Sequence, residues 1–360
     1  MQAALETDWG NPSSIHFAGV AARAAVRRAR EQVATSLGVS PDTVVFTSGA
    51  TESNNTVLQS AAARMSASAD TLLTCTTEHP AVLETCEQLR ERGLRIVELP
   101  VDSQGLLDPE RFEAALDERV LLASIMWVNN ETGVIQPIFE LARRARQHGV
   151  SFHTDAVQAL AKVPLSLGAL PIDFASFSAH KLGGPKGVGA LYVAQGRRIT
   201  PWLRGGGQER AWRPGTENVP GIVGFGAACA ALAKDPPSEL RLAALRDRLW
   251  SELQKRVPAA ARNGSTDFCV ANVLNVSFPG ASSEALIEAL DLEGIAVAAG
   301  SACHSGSGRP SHVLLAMGLS AERSESAIRF SLGRETQDHE IEAVIDLLPG
   351  VVRRVREAEA

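Results

Sequence analysis

The chain has 360 residues, of which 45% are hydrophobic and 21% are charged, and its formal net charge is −6. This composition can support a large buried core, and the length favours two lobes. Basic residues form no block, which argues against nucleic acid or a membrane surface as a partner. No apolar run is long enough to span a bilayer, and the start, MQAALETDWG, does not resemble a signal peptide. The five cysteines are scattered without a CxxC pair, so we expect no disulfide framework, no metal site and a reducing cytoplasm.

Strands and helices are predicted to alternate along the first two thirds of the chain. Residues 1–10 are expected to end a helix, and a turn then leads into a helix over 17–37. Predicted strands follow at 43–46, 71–74, 95–99, 120–128, 151–154, 173–177 and 188–193. Predicted helices lie between them, the first following the small-residue turn 47–55 and running through residue 65, the others at 80–90, 109–116 and 138–147, and a further helix follows at 220–233. This pattern predicts an α/β fold whose mostly parallel sheet is covered by helices on both faces.

The last third is expected to form a smaller α+β domain. Asp235-Pro236-Pro237 interrupts a helix, which places the domain boundary between 11–235 and 236–360. Strands are predicted at 272–278, 295–298 and 327–332, with helices at 240–257 and 283–292. A final helical stretch over 339–355 is expected to break at Pro349.

Polar residues follow several of the predicted strands. Because ligands bind beyond the carboxyl ends of parallel strands, these residues are expected to meet at one edge of the sheet. Each one alone is typical of turn chemistry, but together they indicate a site. They are His79, Asn130, Asp155, Gln158 and Lys181.

Three segments carry more specific signals. Lys181 lies between a strand and a glycine-rich turn. A partly desolvated amine there could form a Schiff base with an aldehyde. A Ser-x-His-Lys sequence alone, however, is usually a solvated loop. The segment FTSGATESNN presents helix N–H groups to an anion, or is an ordinary helix cap, which the segment alone favours. Cys303 lies in the small, polar GSACHSGSGRP, and these residues leave open whether its thiol is reactive. The glycine-rich GGGQER suggests a loop that approaches another backbone or an anion.

The ordered motifs resemble a known family. They are GNPSSIH, FTSGATESNN, TEHPAV, VNNETGVIQP, HTDAVQA, SFSAHKLGGPKGVGALY, GGGQERxxRPGTEN, GSACHSG and IRFSLGR. Together they are similar to the pyridoxal phosphate-dependent cysteine desulfurases of the class V aminotransferase group, and some also resemble the related selenocysteine lyases. The resemblance runs from Gly10 nearly to the C-terminus and implies a fold type I pyridoxal phosphate enzyme.

The resemblance assigns roles at the cofactor. Lys181 is expected to hold pyridoxal phosphate as a Schiff base and to move the substrate Cα proton, Asp155 to pair with the pyridine nitrogen, and His79 to stack on the ring and assist proton transfer. Gln158 and Asn130 are expected near the ring hydroxyl or the substrate. The expected phosphate-binding residues are Ala50, Thr51, Ser178 and His180.

The remaining roles concern substrate, sulfur and the partner subunit. Arg329 resembles the residue that clamps the substrate carboxylate, and Thr216 the residue that reaches the phosphate of the neighbouring subunit, which implies a homodimer. Cys303 corresponds to the sulfur acceptor.

The implied function is the conversion of L-cysteine to L-alanine, with a persulfide on Cys303 passed to an acceptor or scaffold protein of iron–sulfur or thiolation pathways. One alternative is a selenocysteine lyase. Another is a catalytically weak binding partner, because family members usually have a strand and an Ala-Thr-Thr turn ahead of Gly-Asn-Pro, which makes residues 1–10 a truncated N-terminal segment.

Overall fold

The computed structural model describes residues 1–300 and 310–360, which form two compact units. The first unit contains residues 1–99, 109–127 and 137–236. The second unit contains residues 100–108, 128–136 and the described part of 237–360. Cys303 lies outside the described residues.

Strands and helices alternate through the first unit. Its strands are β1 (Val44–Thr47), β2 (Thr71–Cys75), β3 (Arg95–Leu99), β4 (Val120–Ser124), β5 (Ser151–Asp155), β6 (Phe174–Ser178) and β7 (Gly189–Val193). Its α-helices are α1 (Gln2–Thr7), α2 (Phe17–Leu37), α3 (Ala50–Ala62), α4 (Pro80–Glu91), α5 (Pro109–Ala114), α6 (Ile138–Gln147) and α7 (Val219–Lys234). Short 3-10 turns occur at Pro41–Thr43, Leu167–Ala169, Ala179–Leu182 and Gln208–Ala211.

A seven-stranded sheet in the order β1-β7-β6-β5-β4-β2-β3 organises the first unit. The pairs β2–β3, β2–β4, β4–β5 and β5–β6 are parallel. Only β7 in this sheet is reversed, since it is antiparallel to both β1 and β6. The predicted, mostly parallel sheet is therefore confirmed, and six strands place their carboxyl ends along one edge.

Burial explains why these strands form. Every residue of β1, β2, β5, β6 and β7 is buried, as expected for a sheet covered on both faces. Leu72, Leu122 and Leu191 from three strands pack in one hydrophobic cluster with Val57 and Leu58 of α3. This packing fixes α3 against the sheet and so sets where its N-terminus points.

The second unit is built around a small antiparallel sheet. Its strands β8 (Ala261–Asn263), β9 (Val273–Ser277) and β10 (Ala327–Ser331) lie in the order β10-β9-β8. Its helices are α8 (Glu239–Arg256), α9 (Ser283–Leu292), α10 (His312–Ala316), α11 (Ala321–Glu325) and α12 (Asp338–Glu359). Leu253, Leu274, Ile328 and Leu348 belong to the cluster that joins its strands to α8 and α12.

Two predicted strands differ in the structure for identifiable reasons. The strand predicted over 120–128 ends at Ser124, because the Met126 N–H donates to the Glu78 Oε1 carboxylate at 2.5 Å rather than to a neighbouring strand. The strand predicted over 295–298 is reduced to a bridge between Ala298 and Arg329. Its first N–H, from Ile295, instead donates to a carbonyl at the end of α9.

The predicted break at Pro349 is wrong, because α12 continues through this proline. A proline has no N–H, so the carbonyl four residues earlier loses its usual helical partner. The carbonyl of Ile345 instead accepts a hydrogen bond from the Arg256 guanidinium of α8 at 3.4 Å. A side chain from the neighbouring helix thus replaces the missing donor.

Candidate functional site

The N-terminus of α3 has the chemistry of an anion site. Gly49 is its N-cap, and among the described residues no side chain caps the helix. The Ala50 N–H donates to the Ser178 hydroxyl at 3.4 Å, and Thr51 is exposed in the first turn. N–H groups at the positive end of a helix dipole bind phosphate groups well. The predicted phosphate residues Ala50, Thr51 and Ser178 therefore lie at one helix end.

Close packing of glycines brings Ser178 to this helix. Gly189 of β7 pairs with Thr47 of β1 on one side and with Ser178 of β6 on the other. A Cβ at Gly189 would lie 2.5 Å from the Phe177 carbonyl oxygen and 2.6 Å from the Gly49 Cα. Only glycine allows the ends of β1 and β6 to approach this closely, which joins their polar residues into one cluster.

Asp155 ends β5 on the same sheet edge, where it is a buried carboxylate. Its Oδ2 accepts a hydrogen bond from the Asn54 Nδ2 of α3 at 2.7 Å, and its Oδ1 accepts one from the Val157 N–H at 3.1 Å. Burial raises the pKa of Asp155, while the hydrogen bonds from Asn54 and the Val157 N–H and the nearby Lys181 charge oppose the rise. A carboxylate held in this way can keep a proton on a ring nitrogen.

Lys181 and His180 follow β6 in the turn Ala179–Leu182. Both side chains are exposed at this edge. Partial burial lowers the pKa of His180, and the Lys181 and Lys186 cations lower it further. Since the Lys181 charge also acts on Asp155, the amine and the buried carboxylate share one electrostatic environment.

His79 and Glu78 lie at the end of the neighbouring strand β2. The His79 Nδ1 accepts a hydrogen bond from the Ala81 N–H at 3.0 Å and caps α4, so its neutral ring carries the proton on Nε2. Glu78 is fully buried, and burial, with the Asp155 charge as a further cause, raises its pKa well above the usual value. Its hydrogen bond with Met126 ties the β2 end to the segment after β4.

Gln158 and Thr216 complete the residues predicted in this unit. Gln158 is half-buried after β5, and its Oε1 accepts a hydrogen bond from Lys162. Thr216 is exposed in the loop between the turn Gln208–Ala211 and α7. Its exposure leaves the hydroxyl accessible from outside the unit.

The predicted substrate residues Asn130 and Arg329 meet within the second unit. Arg329 is on β10, and its Nη1 donates to the carbonyls of Asn130 at 2.8 Å and Gly300 at 3.2 Å. Burial lowers the pKa of Arg329, and the nearby Glu131 carboxylate opposes this shift. Two backbone carbonyls therefore orient the guanidinium, while its buried Nε has no hydrogen-bond partner among the described residues.

The other cysteines divide by burial. Burial raises the pKa of Cys75 to about 11, of Cys86 to about 12 and of Cys229 to about 11, which makes these three thiols poor nucleophiles. Cys269 is only partly buried, and Arg246 and Arg262 donate to its sulfur.

The residues of the first unit fit pyridoxal phosphate. The open N-terminus of α3 suits the phosphate, Lys181 supplies an amine for the aldehyde, and Asp155 supplies a buried carboxylate for the ring nitrogen. In the described ranges, no group of three or more His, Cys, Asp and Glu residues is placed to hold a metal ion.

Two residues that contact this edge of the sheet, Asn54 and Glu78, were given no role from the sequence. Asn54 stands one helical turn after Ala50, so a helix beginning at residue 50 places both on the face toward the sheet. That spacing was the available signal for Asn54. Glu78 precedes His79, and nothing in its neighbours indicates that its carboxylate is buried against Met126.

Comparisons with known proteins show the family of this chain. A family model described as aminotransferase class-V matches residues 1–344. A relative named cysteine desulfurase IscS, from Dictyoglomus turgidum, is 42% identical over 357 residues, which cover 99% of this chain and 91% of the relative. A cysteine desulfurase from Bradyrhizobium diazoefficiens is 46% identical over 350 residues, with 97% and 88% covered.

This chain is also similar to solved structures over nearly its whole length. One described as a NifS-like protein superposes with a TM-score of 0.91 at 37% identity, covering 98% of this chain and 94% of that one. Another, described as SspA in complex with cysteine, superposes with a TM-score of 0.80 at 35% identity, covering 92% and 95%.

Proposed function

This chain belongs to the aminotransferase class-V family, and we propose that it is a pyridoxal phosphate-dependent cysteine desulfurase. It converts L-cysteine to L-alanine and passes the sulfur to an acceptor protein. The observation that carries the proposal is the cluster of Lys181, buried Asp155 and the uncapped α3 N-terminus on one sheet edge. Relatives of similar length that carry the name cysteine desulfurase support the choice of reaction.

Four residues of the first unit, Lys181, Asp155, His79 and Gln158, have separate roles at the cofactor. When bound, pyridoxal phosphate withdraws electrons from the substrate Cα. Lys181 binds the aldehyde and later moves the Cα proton, while Asp155 keeps the ring nitrogen protonated. His79 supports the ring face and assists proton transfer, and the hydrogen bond from the Ala81 N–H to its Nδ1 orients the imidazole. Gln158 contributes a polar group near the ring.

Phosphate binding belongs to residues around the α3 N-terminus. Ala50 and Thr51 contribute the first turn of the helix, and Ser178 and His180 contribute side chains from the end of β6 and the turn after it. Thr216 is assigned to the phosphate in a neighbouring subunit of a homodimer, and its exposed position supports that assignment.

In the second unit, Arg329 binds the substrate carboxylate. A guanidinium pairs with a carboxylate through two parallel hydrogen bonds, and the carbonyls of Asn130 and Gly300 hold this one in place through a single nitrogen. The Cys303 thiolate attacks the substrate sulfur, so that the carbon–sulfur bond breaks and a persulfide forms on Cys303. The bonding electron pair stays with the substrate carbon, which takes up a proton and leaves as L-alanine. The persulfide then passes its outer sulfur to a scaffold or carrier protein of iron–sulfur cluster assembly or thiolation.

The described residues contain no helix of the length and apolarity needed to cross a membrane. We place the reaction in the cytoplasm, where a free reactive thiol stays reduced.

The test measures alanine formed from L-cysteine by the purified, cofactor-loaded protein with a thiol reductant present. The wild-type protein and Cys269→Ala are expected to form alanine over many turnovers, and Cys303→Ala is expected to lose this activity. Cys269 is the matched control because it is the most exposed cysteine in the described residues. Full activity of Cys303→Ala would contradict the assigned sulfur acceptor.

The same assay with L-selenocysteine separates desulfurase from selenocysteine lyase. Comparable turnover on L-cysteine excludes strict selenium specificity. Tight cofactor binding without alanine from either substrate would instead indicate a protein that acts mainly as a binding partner.

A further inference from the structure

A negatively charged residue occupies the first turn of the helix assigned to phosphate. Glu52 directly follows Thr51 in α3, and its side chain is only 9% exposed. Its Oε2 accepts a hydrogen bond from the Ser48 N–H at 2.8 Å. A carboxylate there satisfies the helix dipole by itself, and it would repel a phosphate dianion at the same helix end.

Arg213 neutralises this carboxylate with a two-pronged contact. Its Nε donates to Glu52 Oε1 at 2.8 Å and its Nη2 donates to Oε2 at 3.3 Å. Burial would raise the pKa of Glu52, but the hydrogen bonds from Arg213 and Ser48 outweigh it and lower the pKa. Glu52 therefore remains an anion, and its charge is balanced by a guanidinium that is itself only 26% exposed.

Arg213 also belongs to the loop that carries Thr216. Only Pro214 and Gly215 separate the two residues, Pro214 is buried, and the Gly215 N–H donates to the Gln208 side chain at 3.0 Å. The Arg213–Glu52 contact thus ties the loop to the α3 N-terminus. The ion pair therefore joins two segments of the same chain. The α3 N-terminus is assigned to the phosphate of its own subunit, and the Thr216 loop is assigned to the phosphate of the partner subunit.

We infer that Arg213 is a positioning residue for the phosphate end of the cofactor, acting through Glu52. It holds the Glu52 carboxylate against Ser48 as a neutral pair, which leaves the first turn of α3 able to accept a phosphate dianion. The inference rests on the proposed function, because it takes the α3 N-terminus as the phosphate site. It differs from direct phosphate binding by Arg213, in which Glu52 would compete for the guanidinium.

The test is a double-mutant cycle read out by cofactor affinity. Dissociation constants for pyridoxal phosphate and inorganic phosphate are measured on the full-length apoprotein for wild type, Arg213→Met, Glu52→Gln and the double variant. Arg213→Met leaves the Glu52 carboxylate without its balancing charge. It is expected to raise both dissociation constants by about tenfold or more, since a partly buried charge has lost its partner. Glu52→Gln is expected to bind at least as tightly as wild type.

The double variant decides between the two roles. If Arg213 acts through Glu52, removing the carboxylate rescues the loss, and the double variant binds within about threefold of wild type, which is less than about 0.7 kcal/mol. A double variant as weak as Arg213→Met overturns the inference and indicates that Arg213 contacts the phosphate or only supports the fold. Urea unfolding of each apoprotein without phosphate separates loss of folding from loss of affinity.

A replacement variant and the binding of the wild-type apoprotein separate the possible outcomes. If Arg213→Met does not fold, Arg213→Gln removes the charge but retains a hydrogen-bond donor, and its cycle with Glu52→Gln must show the same rescue. Wild-type apoprotein that binds no pyridoxal phosphate would contradict the proposed function itself. Normal wild-type binding with no rescue would contradict only the role of Arg213.

Discussion

Removing the amide of Asn54 tests how strongly its hydrogen bond stabilises the charged form of Asp155. The Asn54 Nδ2 donates to Asp155 Oδ2 at 2.7 Å, and both residues are buried. A hydrogen bond to a charged group contributes about 1.5–3 kcal/mol to stability. We expect Asn54→Ala to lower the free energy of unfolding of the apoprotein by about 2 kcal/mol at pH 8, equivalent to about 1.5 pKa units at Asp155.

The deficit should depend on pH, because it concerns the charged form of Asp155. Burial already raises the pKa of Asp155 above 3.8 in the folded protein, and loss of Asn54 raises it further. Below the folded pKa, Asp155 is protonated in both proteins, so the charged hydrogen bond no longer distinguishes them. The deficit is therefore full above the higher folded pKa, which is that of the variant, and it shrinks as the pH falls from there to the folded pKa of the wild type.

Urea unfolding at pH 8, 7, 6 and 5 measures this dependence, with Asn55→Ala as the matched control. The Asn55 side chain donates to the backbone carbonyls of Thr51 and Ala81, which do not titrate. Its deficit is expected to stay constant with pH. A deficit for Asn54→Ala that is equal at pH 8 and pH 5 would refute the reasoning, as would the same pH dependence in the control.

Three other changes have defined outcomes. After borohydride reduction of the cofactor-loaded protein, mass spectrometry should find the cofactor on the peptide containing Lys181; Lys181→Ala should lose the label and Lys186→Ala should keep it. The pKa of buried His153 is lowered from 6.5 to about 3, so folding resists its protonation and stability falls as pH drops below 6.5. Between pH 6.5 and pH 5, urea unfolding should show wild type losing about 2 kcal/mol more than His153→Asn. Gly350→Ala in α12 should raise the unfolding free energy by about 0.5–1 kcal/mol, because a Cβ there has room and alanine favours the helix; no gain in the urea midpoint would contradict this.

The sheet and its polar edge could be predicted because both depend on position along the chain. Apolar strands alternating with helices predict a parallel sheet, and this topology brings the residues after each strand to one edge. His79, Asp155 and Lys181 were found in this way. The resemblance to cysteine desulfurases is confirmed by relatives aligned over nearly the whole chain.

The partners that tune these residues could not be predicted, because they come from distant parts of the chain. Arg213 reaches Glu52 across 161 residues, and no local pattern in either segment indicates the other. The failed break at Pro349 has the same origin, since the replacing donor, Arg256, lies on another helix. Sequence periodicity reports which face of an element is buried, but it does not report which side chain arrives there.

The glycine-rich GGGQER motif shows this limit most clearly. Its glycines suggested a close approach, yet the left-handed residues at its end are Glu209, Arg210 and Ala211, with φ of 46°, 61° and 61°. This conformation costs about 1–2 kcal/mol per non-glycine residue, so other contacts must hold it. The buried Glu209 carboxylate accepts both Arg30 Nη1 at 2.8 Å and the Phe46 N–H at 2.9 Å. A charged side chain bound to the backbone of β1, rather than glycine flexibility, therefore fixes the loop that leads to the Arg213–Glu52 ion pair.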